Sequence, residues 1–377
     1  MPGLSGCLVV RNGKSSVVRC LDALLPIVNE YVIIDTGSTD GTRELVKSWV
    51  DSHKGPHYVL DAVGNRFHDD GIFDFGAAKN YAISKATCPY IMWVDVNDRV
   101  TRGREVRTAF EKIVNRIPHA SISLLTKVDK TFSFPRVRIV PREFAKFEGS
   151  IHEYLTNTAP DARWVTTRFE VENFKRYRDI ARNNLALQKE WSRSHTQRCA
   201  FYLANSARDI NDFVGAMEWY RVTVDEFPTK TNEERAKSME AICDIALRIN
   251  DMAILDEMST QMITELPDRP EGFYYRAKFQ YAQENYPMAV KNLKRLLDLN
   301  GRVRPTHMWI NPAIYDRETH IKMLKEASVK AEYHDMKPLQ PQCITDLNTF
   351  NANQQRIAEY QNNFGFPGSV VSTNMNY

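Results

Sequence analysis

Val32-Ile33-Ile34-Asp35-Thr36-Gly37-Ser38-Thr39-Asp40-Gly41-Thr42 is the stretch whose reading decides the fold. Three β-branched residues run without a polar break into a carboxylate, which predicts a strand buried on both faces. Small and turn-forming residues follow, and Thr42–Val50 then takes up a helical pattern. Such a strand–turn–helix has two uses. Asp and Ser can simply cap a helix. Alternatively, the carboxylate accepts from a base N–H or a ribose hydroxyl while glycine lets the backbone approach a ligand.

Working outward, the same alternation recurs. Leu4–Val10 is a short apolar run rich in β-formers, and Ser15–Ile27 places Val17, Val18, Leu21, Leu24 and Leu25 on one helix face. Tyr58–Leu60 predicts a third strand, Phe75–Lys85 a helix, and Tyr90–Val94 a fourth strand that ends at Asp95. Strands alternating with helices imply a parallel sheet covered by helices. In such sheets ligands bind beyond the carboxyl ends of the strands, where Asp35 and Asp95 both fall. After a helix near Glu105–Arg116, Ser121–Thr126 and Ser133–Val140 follow one another as strands with no helix between. With Ser150–Leu155 as a further short strand, they predict an antiparallel annex that completes the first domain, residues 1–173.

From 174 to 336 the pattern is helical and repeats itself. Ala200–Ala207 (AFYLANSA) is echoed by Gly272–Phe279 (GFYYRAKF), and Phe213–Tyr220 (FVGAMEWY) by Tyr286–Leu293 (YPMAVKNL), at offsets of 72 and 73 residues. That is about twice the ~34-residue period of tetratricopeptide-like hairpins. Glu233–Leu266 fits between as a degenerate copy. Such arrays present concave surfaces for peptides or for self-association, so a homo-oligomer through this domain is one expectation. Trp191, Trp219, Tyr274, Tyr275 and Trp309 are either core aromatics or sugar-stacking contacts. Residues 337–377, rich in Asn, Gln, Pro and Ser, predict an extended tail.

Composition excludes several classes. Lys and Arg number 50 against 47 Asp and Glu, a net charge of +3, which demands no nucleic-acid partner. Basic residues interleaved with aromatics over Arg163–Arg198 nevertheless keep such an acceptor open. No run of 18 apolar residues is present, so no membrane span is expected. The N-terminus lacks a charged region followed by a long apolar one, so a signal peptide is not expected either. Six cysteines are scattered without a CxxC pair, which fits a reducing compartment, the cytoplasm, and argues against a structural zinc site. GxGxxG, P-loop, GxSxG and HExxH motifs are all missing from the sequence.

Five ordered blocks resemble the glycosyltransferase family 2 enzymes of the GT-A fold. They are Cys7-Leu-Val-Val-Arg-Asn12, the Val32–Thr42 stretch, Phe73-Asp-Phe-Gly-Ala-Ala-Lys-Asn80, Tyr90-Ile-Met-Trp-Val-Asp-Val-Asn-Asp98 and Gly149-Ser-Ile-His-Glu153. The likeness covers about residues 4–157 and is nearest to the lipopolysaccharide-core and peptide glycosyltransferases. It implies an α/β GT-A domain, followed here by an all-α, TPR-like one. It further implies an inverting, hexosyltransferase-type enzyme that takes a nucleotide-diphosphate sugar, UDP favoured, to an acceptor hydroxyl on a glycan, a lipid-linked sugar, a peptide or a modified nucleobase in DNA. Val9, Val10, Arg11, Asp35, Gly37, Ser38, Asp40, Lys79, Asn80, Val94, Asp95 and Val96 would meet the nucleotide. Glu153 would be the general base, with Asp129 in reserve. Asp95, Asn97 and His152 would hold Mn²⁺ or Mg²⁺.

The sequence departs from the family at the acidic turn. Where Asp-x-Asp is usual, it has Asp95-Val96-Asn97, followed by Asp98. An Asn carbonyl can ligate a metal but brings no charge, so weaker metal binding is expected unless Asp98 helps. Asn97 is also the one support for a competing reading, a non-catalytic binding or scaffold protein with a degenerate transferase domain. Arg136, Arg138 and Arg142 are candidates for binding diphosphate or an anionic acceptor, or else form a solvated strand edge.

Overall fold

A computed structural model describes residues 2–53, 57–64, 66–69, 72–127, 133–174, 180–227, 233–299 and 311–336. Asp129, Trp309 and the tail 337–377 lie outside the described residues.

The first half runs β1 (Leu4–Val10), α1 (Val17–Leu24), β2 (Glu30–Asp35), α2 (Thr42–Ser52), β3 (His57–Ala62), β4 (His68–Asp69), β5 (Ile72–Phe73), α3 (Phe75–Lys85) and β6 (Tyr90–Trp93). It continues through β7 (Asp98–Val100), α4 (Gly103–Val114), β8 (Ala120–Lys127), β9 (Ser133–Pro141), β10 (Ala145–Glu148), β11 (Tyr154–Asn157) and β12 (Arg163–Asn173). Eight of these strands form one sheet in the order β3-β2-β1-β6-β9-β8-β12-β7. β3, β2, β1 and β6 are parallel, and Val10 lies opposite Asp35 at the carboxyl ends of β1 and β2. The chain order reverses at β1, a topological switch point, so a crevice opens there.

Alternation along each strand loads both faces. Leu8, Ile33 and Met92 join Leu21, Leu24, Val46 and Phe110 from α1, α2 and α4 in one core. Cys7, Val32, Ile91 and Trp93 point the other way, against Ala82 of α3 and Phe147 of β10. At ~25 cal/mol per Å² of apolar area, two such faces supply the main force holding the sheet.

Two expectations about the annex are corrected. β9 is antiparallel to β6 and to β8, but β12 returns parallel to β8, so the annex extends the main sheet instead of forming a separate antiparallel piece. The strand expected over Ser150–Leu155 begins only at Tyr154, as β11. Residues 149–153 turn between β10 and β11, with Gly149 at φ 86° and His152 at φ 51°, left-handed values that a strand cannot contain.

The second half is helical: α5 (Ile180–Ser194), α6 (Gln197–Asp209), α7 (Phe213–Asp225), α8 (Glu233–Ile249), α9 (Met252–Glu265), α10 (Pro270–Ala282), α11 (Tyr286–Leu299), α12 (Pro312–Tyr315) and α13 (Arg317–Met336). From α5 to α11 each helix packs on the next, and α13 packs on α11, the nearest-neighbour arrangement of a helical-repeat array. Asp212 and Asp251 cap α7 and α9 by accepting from Gly215 N (2.9 Å) and Ile254 N (3.0 Å). The residue before each cap, Asn211 and Asn250, is left-handed. Tyr274 and Tyr275 are core residues, the latter donating to Asp244 at 2.7 Å. Trp191 and Trp219 meet edge to face at 5.3 Å. No described helix is long and apolar enough to cross a membrane.

Candidate active site

The turns after β1 and β2 are sewn to each other. Asn12 N donates to Ser38 Oγ (2.9 Å), Gly13 N to Thr42 Oγ1 (2.9 Å), Lys14 N to Asp40 Oδ2 (3.1 Å), and Thr39 N to Asn12 Oδ1 (2.8 Å). Ser38 and Asp40 therefore shape this loop pair from within. The bonds from Thr42 and from the Lys14 and Thr42 backbones, outweighing a small burial effect, hold the Asp40 carboxyl below its usual range. Gly37 and Gly41 take left-handed values.

Asp35 sits beneath this pair, 1% exposed. One oxygen accepts from Gly37 N (3.0 Å) and Ser38 N (2.8 Å). The other, Oδ2, is buried and has no hydrogen-bond partner. An orphaned buried acceptor costs ~1–3 kcal/mol, and a ligand donor is one way to recover it. Val94 is buried and Val9 half-buried against the core; Val94 N donates to Cys7 O, and Val9 pairs with Ile34 across the sheet. Val10 and Val96 close around Gly13, and Arg11 Nη1 lies 3.2 Å from His68 Nε2.

Asp95 follows β6, two strands from Asp35, about 10 Å away at normal strand spacing. Its Oδ1 accepts from Trp93 Nε1 (3.1 Å) and Lys79 Nζ (3.4 Å), and its Oδ2 from Arg136 Nη1 (3.1 Å). Burial alone would push this carboxyl up, but Lys79, Arg136, Arg138 and the indole N–H together hold it well below the usual range.

Lys79 is the hinge of the site. Only 6% exposed, it makes a close ion pair with Glu153 as well as meeting Asp95, and it lies over the Trp93 ring (4.6 Å) and the Phe147 ring (4.9 Å). A solvated helix face, the bland alternative for this lysine, is thereby ruled out. Asn80, next to it, uses both ends of its amide on the Phe147 backbone at 2.8 Å and so fixes β10 against α3.

Each expected metal ligand has partners within the protein. Asn97 Oδ1 accepts from Ser16 Oγ (3.0 Å). The His152 ring stacks on Tyr202 of α6 at 4.0 Å. Asp98 is fully buried against Arg138 at 2.7 Å, takes Asp95 N at 2.9 Å and accepts from Asn173 at 2.7 Å, so it is the turn's foundation and no spare ligand. Among the described residues no three His, Cys, Asp or Glu side chains form a metal cluster. Both Asp95 oxygens are hydrogen-bonded, and no metal centre is preassembled among the described residues.

Of the strand arginines, Arg136 pairs with Asp95 and Arg138 with the buried Asp98. Arg142 Nε donates to Cys88 O. The basic, aromatic run Arg163–Arg198 is divided between β12 and the first helices, and Arg198 is paired with Glu234 at 2.6 Å. Its described residues form no single basic face.

A mixed sheet, parallel over β3, β2, β1 and β6, with an acid after each of the two strands flanking the switch strand, is the GT-A fold, here joined to a TPR-like helical domain. Residues 5–122 match the family described as Glycosyl transferase family 2. A TPR repeat-containing protein of Synechococcus elongatus is 31% identical over 100 residues, 26% of this chain. The match spans only 22% of that relative's length. Among solved structures, S. aureus TarS 1-349 in complex with UDP-GlcNAc is similar over 88% of this chain and 92% of that one, at 13% identity and a TM-score of 0.37. MamA covers 42% of this chain and 91% of its own, at 15% identity and a TM-score of 0.30.

Proposed function

We infer that the protein is an inverting glycosyltransferase that moves a hexosyl unit from a nucleoside-diphosphate sugar, UDP favoured, to an acceptor hydroxyl. The single observation that carries this reading is the Lys79 bridge, which ties the acid at the end of β6 to the carboxylate of Glu153.

In this reading the nucleoside lies over the sewn turns, and Asp35 Oδ2 takes a donor from base or ribose. The diphosphate lies toward Asp95. Glu153 takes the proton of the acceptor hydroxyl as that oxygen bonds to the anomeric carbon from the face opposite the diphosphate. The bond to the diphosphate oxygen breaks and its electron pair leaves on that oxygen, where Lys79 and Arg136 lie within reach to offset the charge. A divalent ion, if recruited, would add Lewis-acid stabilisation to the same oxygen. Asp95 and the donor's phosphates would be its main ligands, with Asn97 bonded to Ser16 and His152 stacked on Tyr202. A glycan, a peptide or a modified nucleobase in DNA supplies the acceptor hydroxyl.

Calorimetry with UDP and UDP-sugars, with and without Mn²⁺, tests the donor half, and mass spectrometry of products on candidate acceptors tests the rest. Binding with turnover, abolished by Asp35→Ala, is the expected result. No nucleotide binding and no donor hydrolysis would leave the scaffold reading in its place. Proton NMR of the product reads the anomeric configuration, and retention would refute inversion.

A further inference from the structure

The Gly149–Glu153 loop has almost no stabilising chemistry of its own. It contains two left-handed residues, Gly149 and His152, and no regular backbone ladder. What fixes it comes from two sides. On one side, Phe75 N at the start of α3 donates to Ser150 O at 2.8 Å. Gly76 packs so tightly there that a Cβ would lie 2.1 Å from Gly149 O. On the other side stand side chains of the helical domain. Glu190 Oε2 of α5 accepts from Ser150 N (3.0 Å), Ser150 Oγ (2.6 Å) and Ile151 N (3.3 Å). Arg198 of α6 donates twice to His152 O, at 3.3 and 3.2 Å. Its guanidinium also lies 4.5 Å from the Tyr154 ring centre, and Glu234 of α8 anchors it. Tyr202 stacks on the His152 ring.

We propose that Glu190, seconded by Arg198 and Tyr202, is a positioning residue for the transfer: the helical domain, through these side chains, sets the loop that presents Glu153 to Lys79. The proposal deepens the glycosyltransferase reading and rests on it for the role of Glu153. Charge-assisted hydrogen bonds to two consecutive amides are among the stronger restraints a side chain can offer, and they act on a backbone with few others. The nucleotide turns carry their own internal bonds, so loosening the Glu153 loop impairs turnover and leaves nucleotide binding alone. A misplacement of ~1 Å at a catalytic group costs up to ~10²-fold in rate.

The test uses the full chain with Glu190→Ala and Glu190→Gln. Three readouts are taken: hydrogen exchange of the Ser150 and Ile151 amides, the Kd for UDP by calorimetry, and kcat for UDP-sugar hydrolysis or transfer. Glu190→Ala is expected to speed exchange at both amides at least tenfold and to lower kcat at least tenfold. Its Kd for UDP is expected to stay within twofold of wild type. Glu190→Gln restores most of the loss, because one oxygen accepts all three bonds and a glutamine keeps one carbonyl oxygen. Should Glu190→Ala not fold, Arg198→Lys against Arg198→Ala provides the same contrast at His152 O. Wild-type exchange together with wild-type kcat in the alanine variants would overturn the proposal, as would equal losses in UDP affinity and kcat. If wild type itself neither binds UDP nor hydrolyses UDP-sugars while Glu190→Ala frees the two amides, the glycosyltransferase reading fails and the anchoring of the loop stands.

Discussion

The paired turns of residues 11–14 and 36–42, compared with the Gly149–Glu153 loop, show two ways of building a site. The first loops hold each other, four hydrogen bonds deep, within the sheet domain. The second is held by a helix start on one side and by the helical domain on the other. The half of the site proposed to read the nucleotide is thus preorganised locally, and the half proposed to activate the acceptor depends on the domain junction. Damage to the first should remove binding, and damage to the second should remove rate.

Asp35→Ala should have the largest effect: UDP affinity falls about 100-fold, ~2.7 kcal/mol, the size of one lost charged hydrogen bond to the nucleotide. Calorimetry checks it, and an unchanged Kd would break the comparison at its first term. Lys79→Met comes next. It strips the shared cation from two partly buried acids, so kcat should fall ~10²-fold, UDP affinity should fall by a smaller factor because the same cation faces the leaving diphosphate, and stability should fall by ~3 kcal/mol in denaturant unfolding. Gly76→Ala drives a methyl into Gly149 O, so the loop must shift; kcat should fall ~10-fold, with ~1–3 kcal/mol of destabilisation. Asn97→Asp restores a charge beside Asp95, and Mn²⁺ should raise its activity a fewfold more than it raises that of wild type.

The smallest effect on rate comes from the helical half, where Glu240 is buried beside Lys237 at 2.6 Å. Burial outweighs the lysine and pushes the Glu240 carboxyl up to about 7, from an ordinary 4.5. Between those values the folded protein holds a proton that the unfolded chain has released. Stability therefore falls as pH rises through this window, by roughly 1–3 kcal/mol. Thermal unfolding from pH 5 to 7 should show the decline, and Glu240→Gln should flatten it. The nucleotide turns should be indifferent to that change, which sharpens the contrast between the two halves.

Much of the first half was legible because its signals are local. Buried parallel strands read as apolar runs, and Asp35 and Asp95 fall at strand ends that any βαβ count locates. Phe75–Lys85 was legible to the residue, since Asp74 caps it by accepting from Ala77 N at 2.8 Å. The Glu153 loop was illegible because what shapes it lies 37 to 49 residues downstream, in Glu190, Arg198 and Tyr202. β12 was missed because Arg163–Asn173 alternates charged and bulky residues, a pattern that looks like a basic run as readily as a strand. One readable signal went unused: Ile210-Asn211-Asp212 and Ile249-Asn250-Asp251 repeat the same left-handed cap and mark two hairpin turns of the helical array.

The buried Asp98–Arg138 pair has a bearing on how such motifs are dissected. Both side chains are sealed from solvent, and Asp98 also holds Asp95 N and Asn173. Removing one partner of such a pair strands the other, at ~3–5 kcal/mol. An alanine at 98 would therefore yield a silent protein for want of a fold, and an assay alone would score it as a lost ligand. Of the acids in Asp95-Val96-Asn97-Asp98, only the first reports on chemistry. The last reports on whether there is a sheet left to carry it.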